Sequence, residues 1–115
     1  MTTIINLSEK KCVACEGGMP PLTRAEAEIL LKQIPDWQLN DSATEIAREI
    51  RVANFRAALL LANRVGDIAE AEGHHPDLTV SWGKLGIRLT THAISGLSEN
   101  DFIMAAKIDQ FQVGV

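Results

Sequence analysis

Apolar positions along the chain recur with two different periods, and the switch between them predicts seven elements. In "LTRAEAEILLKQIPDW", Thr23 stands at an N-cap with Glu26 three residues on, the spacing of a capping box, and Pro35 ends the run. A first helix is predicted over about Arg24 to Gln33. From Glu45 to Val52, "EIAREIRV" sets Ile46, Ile50 and Val52 on one parity, interrupted by Arg48, which predicts a strand with one buried face. Trp37 to Leu39 is a short candidate partner. Asn54 then caps "FRAALLLANRVGDIAEAE" and Gly73 closes it as a C′ glycine, giving the longest helix. "LTVSWGKLGIRLTTH" reads as two strands about Gly83, Leu78 to Trp82 and Lys84 to Thr91. In the second, Leu85, Ile87 and Leu89 share one face, and Lys84, Arg88, Thr90 and His92 the other. Ser98, with Asp101 at N3, caps a last helix to about Gln110.

The order helix, two strands, helix, two strands, helix implies an α+β domain: a four-stranded antiparallel sheet with three helices packed on one face. Residues 1–20 read as a polar leader ending in "EGGMPP", whose paired Gly and Pro deny regular structure, and residues 21–115 as a single domain. On the long helix, Phe55, Ala58, Leu59, Ala62, Val65 and Ala69 make one stripe, with Leu60, Leu61 and Ile68 to its side. A face this wide exceeds what one sheet covers, and predicts self-association.

Totals narrow the function classes. A chain of 115 residues holds one core, and buries roughly two-thirds of its unfolded surface. The formal charge of −4, with no basic cluster, argues against nucleic-acid binding, which needs cations on phosphates. The longest apolar run, Ala57 to Ala62, is too short to span a bilayer, and "MTTIINLSEKK" lacks the order of a secretory signal, so the expectation is a cytoplasmic protein without membrane contact. Cys12 and Cys15 form "CVAC", the spacing of a redox pair or half a zinc site. Without a second such pair, the reading is reduced thiols in a mobile leader.

The candidate chemistry lies in three histidines between positions 74 and 92, two of them adjacent in "GHHPD". Imidazole, with a reference pKa of about 6.5, gives or accepts protons near neutrality. Residue 75 precedes proline and so favours extended geometry, in which neighbouring side chains diverge, and the pair then divides its work. If the loop of His74 and His75 packs beside the strand end bearing His92, all three meet at a rim of the open sheet face. The spacing equally allows surface histidines, or cations favoured at a helix C-terminus. Adjacent histidines make a poor metal pair, and no activated-nucleophile pattern is present, so proton transfer on a small molecule is the best chemical class.

Glu70-x3-His74-His75-Pro76-x5-Trp82-x9-His92-x8-Asp101, with "LTTHAISGLSENDFIMAAKID" from Leu89 to Asp109, resembles the signature of the pterin-4a-carbinolamine dehydratases over residues 22–112. The resemblance implies a four-stranded sheet backed by three helices, and dimers or tetramers. It implies dehydration of 4a-hydroxytetrahydropterin, the product of aromatic amino acid hydroxylases, to quinonoid dihydropterin, with neither metal nor organic cofactor. It further implies His74, His75 and His92 as the catalytic set, with His74 and His92 as acid and base and His75 chiefly holding substrate. Glu70, Pro76, Trp82, Thr91 and Asp101 would bind or support. Glu70 would orient an imidazole or stabilise its cation, or else stand as a solvated helix carboxylate, and Asp101 would steer His92 or serve as a cap; Trp82, on the parity of Val80 and Leu78, suits core or wall. Two positions depart from the pattern: Gly73, where some members carry an acidic or polar residue, and Ser95, where a second glycine is common. Two other classes stay open: a pterin-binding accessory or transcriptional coregulator protein docking through its apolar helix, and metal binding by Cys12, Cys15 and the histidines.

Overall fold

The computed structural model describes residues 6–13 and 18–112. Its elements are α1 (Arg24–Leu31), β1 (Gln38–Leu39), β2 (Ile46–Arg51), α2 (Phe55–Glu72), β3 (Asp77–Ser81), β4 (Lys84–Leu89) and α3 (Glu99–Asp109), with 3-10 turns at Leu7–Glu9, His92–Ile94 and Gln110–Gln112. The strands lie in the order β1-β2-β4-β3, each neighbour antiparallel, and the helices cover one face. The expected α+β architecture is therefore present.

The caps sit where the sequence puts them, because each satisfies backbone N–H groups that the first turn leaves unpaired. The Thr23 hydroxyl accepts from the Glu26 N–H at 3.2 Å while Glu26 accepts from the Thr23 N–H at 2.9 Å. Asn54 Oδ1 accepts from the Ala57 N–H at 2.9 Å. Gly73, at φ 66°, takes the left-handed conformation that ends α2. The first helix is shorter than expected: it stops at Leu31 and continues as turns to Ile34.

Ile46, Ile50, Leu85, Ile87 and Leu89 are buried beneath the helices, with Ile46 opposite Leu89 and Ile50 opposite Leu85. Arg48, opposite Ile87, shares that apolar face, and its side chain is only 14% exposed. A charge there demands a partner. Its Nη1 lies 2.6 Å from Asp109 Oδ1 at the end of α3 and its Nη2 3.4 Å from Asp36, while Trp37 Nε1 donates to the same Asp109 oxygen at 2.8 Å. Burial pushes the Asp109 carboxyl above its ordinary value, against the opposing pull of the Trp37 and Arg48 bonds. The residue that interrupts the strand pattern thus pins the sheet to α3.

Two expectations about apolar surface shift. The buried line of α2 is Ala58, Leu61, Val65 and Ala69, so Leu61 belongs to the core, whereas Phe55, Leu59 and Leu60 are exposed. The stripe is rotated from the predicted one because β3 and β4 together with α3 meet this side of the helix. Trp82, expected in the core or a wall, is 73% exposed. Strand parity ends at Ser81, which pairs with Lys84, and Trp82 and Gly83 form the hairpin between them, with Gly83 at φ 76°.

The described part of the leader, residues 6–13, packs on the domain. Leu7 is 2% exposed and joins the core, a burial worth about 2 kcal/mol. Its N–H donates to Gln33 Oε1 at 3.2 Å, and Lys107 Nζ donates to the Ser8 carbonyl at 2.9 Å. Further on, the Cys12 N–H donates to Glu72 Oε1 at 2.8 Å. Cys15 lies outside the described residues. Burial first, then the Glu72 carboxylate, pushes the Cys12 thiol up to about 12 from an ordinary 9.0.

Two outcomes follow. Replacing Arg48 with Met leaves Asp109 half-buried without its cation, and is expected to cost about 2 kcal/mol in urea unfolding. The folded Cys12 value lies above the unfolded one, so folding favours the neutral thiol and this contribution disappears as pH rises from 9 towards 12. At pH 9, iodoacetamide should therefore modify Cys12 on the order of a hundredfold more slowly in the native protein than in urea, read by peptide mass mapping.

Candidate active site

The site is assembled where α2 ends and α3 begins. The left-handed turn at Gly73 reverses the chain out of α2, and the His74 N–H still donates to the Ala69 carbonyl at 3.2 Å, which fixes how His74 leaves the helix. Its Nε2 lies 2.6 Å from Asp101 Oδ1. Asp101 is fully buried at N3 of α3, and its Oδ2 accepts from the Thr91 hydroxyl at 2.8 Å and the Ser98 N–H at 3.0 Å. With Asp101 as acceptor, Nε2 of His74 is the donor, and in the neutral imidazole Nδ1 then holds the lone pair. Thr91 is itself buried, and its hydroxyl is 2.8 Å from that of Ser98. Asp101 Oδ2 makes the cap bond expected of it, whereas Oδ1 pairs with His74 and not with His92, the imidazole that it was expected to steer.

His75 diverges from His74, as the following Pro76 implied: its Nε2 is 2.5 Å from Glu70 Oε2, and both side chains are largely exposed. The imidazole that Glu70 meets is thus that of His75. Pro76 is half-buried and leads directly into β3.

His92 reaches the same place by a different route from the one expected. β4 stops at Leu89, and Thr91 pairs with Gly96 in a single bridge, the Thr91 N–H donating to the Gly96 carbonyl at 2.8 Å. That bridge turns the chain before residue 92, so His92 opens a 3-10 turn at the end of the sheet instead of lying on its open face. Ser95 closes the turn at φ 54°, the left-handed conformation that explains why glycine suits this position. At Gly96 a Cβ would lie 2.6 Å from Pro21, so the close approach requires glycine.

His74, His75 and His92 line one cleft of about 430 Å³, with Thr90, Thr91, Ala93, Glu72, Gly73, Asn100 and Val13. Its size is that of small-molecule sites. Trp82 stands apart, at the far end of β3 from His75. A larger groove of about 580 Å³ lies over the open sheet face between Gln38, Glu49, Thr79, Lys84 and Arg88, and none of the histidines lines it. Sequence reasoning missed Val13, Glu72 and Asn100. Val13 fell in the leader, and Asn100 gave as its signal only a polar residue beside a capping aspartate. Among the described residues, no three His, Cys, Asp or Glu side chains group as metal ligands would, and no helix is long and apolar enough to cross a membrane.

Comparison with known proteins bears on the family and the fold. The family model for pterin 4 alpha carbinolamine dehydratase matches residues 20–111. Relatives provisionally named pterin-4-alpha-carbinolamine dehydratase include one from Methylococcus capsulatus, 52% identical over 91% of this chain and 92% of its own. A second, from Rickettsia bellii, is 44% identical over 97% and 99%. The crystal structure of a transcriptional coactivator/pterin dehydratase from Brucella melitensis superposes with a TM-score of 0.73 at 28% identity, covering 78% of this chain and 96% of that one. With the match covering residues 20–111, which hold all three histidines of the cleft, the chain belongs to the pterin 4 alpha carbinolamine dehydratase family.

Proposed function

We propose that the protein dehydrates 4a-hydroxytetrahydropterin to quinonoid dihydropterin and water by histidine acid-base catalysis, and so returns the pterin used by an aromatic amino acid hydroxylase to its reduction cycle. The observation that carries this reading is the His74–Asp101 pair, 2.6 Å apart, set in the same cleft as His92. The elimination removes the N5 proton and expels the C4a hydroxyl, so it needs a base and an acid at once. His74 takes the N5 proton on its free Nδ1, and the buried Asp101 carboxylate stabilises the imidazolium that forms. His92 delivers a proton to the departing hydroxyl, and each imidazole is reset by exchange with solvent. His75, braced by Glu70, holds the substrate. These steps move only protons, and the chain's own side chains supply the groups for them.

The same reading takes the protein as a cytoplasmic homodimer or homotetramer. In support, Phe55, Leu59 and Leu60 are exposed together on α2, Leu60 at 60%. The Brucella melitensis protein is described as a coactivator as well as a dehydratase, and a docking role for this face is the second reading. The intact acid-base cleft favours the enzyme.

Purified protein should speed the loss of the 4a-hydroxy intermediate's absorbance, and a His74→Ala, His92→Ala double variant should forfeit about 10²- to 10⁴-fold of that acceleration. Equal rates for the double variant and the native protein would remove both residues from the chemistry. Light scattering should give the native protein a multiple of 12.5 kDa and Leu60→Asp a single-chain mass; a native single-chain mass refutes self-association.

A further inference from the structure

The histidine cleft has a wall that lies outside the part of the chain matched by the family model, since Val13 lines the cleft while the match begins at residue 20. The wall is fastened at each step. Lys10 Nζ is 3.0 Å from Glu99 Oε2, the Cys12 N–H donates to Glu72, and the Cys12 thiol lies 3.6 Å from the Asn100 carbonyl. At Val13 the backbone is held at both ends by one buried side chain: its N–H donates to Asn100 Oδ1 at 3.0 Å, and Asn100 Nδ2 donates to its carbonyl at 2.5 Å. A single amide that satisfies both backbone groups of one residue fixes that residue's position and direction, as a strand neighbour would.

What this fastening holds in place is an isopropyl group that is 70% exposed. Apart from Val13, the side chains lining the cleft end in imidazole, hydroxyl, carboxylate and amide groups, with Ala93 as the other aliphatic one. A flat bicyclic ring bound there needs an apolar surface for its face, and burying a held apolar group against it gains affinity without the entropy of ordering a loose segment. The exposures are consistent with a wall at the solvent side: the His74–Asp101 pair is buried, whereas Val13 is open to solvent.

We propose that residues 10–13 form an added wall of the cleft and that Val13 is a specificity-determining residue, packing its side chain on the bound pterin. Asn100 is the positioning residue that holds it. The proposal rests on the dehydratase reading of the cleft. Because Val13 touches substrate away from the proton-transferring imidazoles, its contact is the same in ground and transition states, and its loss raises KM and leaves kcat in place.

Steady-state kinetics on synthetic 4a-hydroxytetrahydropterin test this, with thermal unfolding run on each variant. Val13→Ala is expected to raise KM roughly fivefold and Val13→Asp more, with kcat within about twofold of native, and Val13→Ile to restore KM. Asn100→Ala should raise KM in the same direction; should it fail to fold, the exposed Val13 series still decides. A native-like KM for Val13→Asp in a protein that dehydrates normally overturns the wall and leaves the dehydratase reading standing. A native protein that does not accelerate dehydration overturns both.

Discussion

A single buried carboxylate, that of Asp101, organises the functional end of this molecule. Its Oδ2 closes the first turn of α3 through Ser98 and takes the Thr91 hydroxyl; its Oδ1 takes His74. A carboxyl group with no exposure is tolerable only with hydrogen-bond partners around it, and here those partners come from three separate stretches of chain. Folding cannot satisfy Asp101 without also bringing the end of α2, the end of β4 and the start of α3 together. The requirement that stabilises the helix therefore also builds the cleft.

The opposite end of α3 repeats the logic with Asp109, which collects Arg48 from the sheet and Trp37 from the approach to β1. One helix thus carries an acidic anchor at each terminus, one fixing the site and the other fixing the sheet beneath it. Between them its apolar residues, Phe102 to Ala105 and Ile108, are buried. Rigid support at both ends would suit the proton acceptor proposed above, which must stay oriented while substrate enters and leaves.

Much of this was legible in the sequence where the physics is local. Caps at Thr23, Asn54 and Ser98, the glycine stop at Gly73 and the alternation of Leu85, Ile87 and Leu89 each rest on a few neighbouring residues, and each sits where it was read. The motif spacing likewise pointed to His74, His75 and His92, and the cleft unites them. What escaped depended on partners distant in sequence. Whether Asp101 would meet His74 or His92 is decided by how α3 docks. Periodicity counted Trp82 as strand, although the hairpin had already begun, and it counted His92 as strand, although the Thr91–Gly96 bridge had already turned the chain. The packing of residues 6–13 could not be read at all, because backbone groups bonded to Glu72, Asn100 and Gln33 leave no trace in side-chain pattern.

The serine at position 95 leaves a small reserve of strain in this corner. In the left-handed region a side chain costs roughly 1–2 kcal/mol in the folded state, more than the extra freedom that glycine gives the unfolded chain. The turn that presents His92 is therefore closed by a residue that its backbone does not favour, and the bridge and packing around it carry the difference.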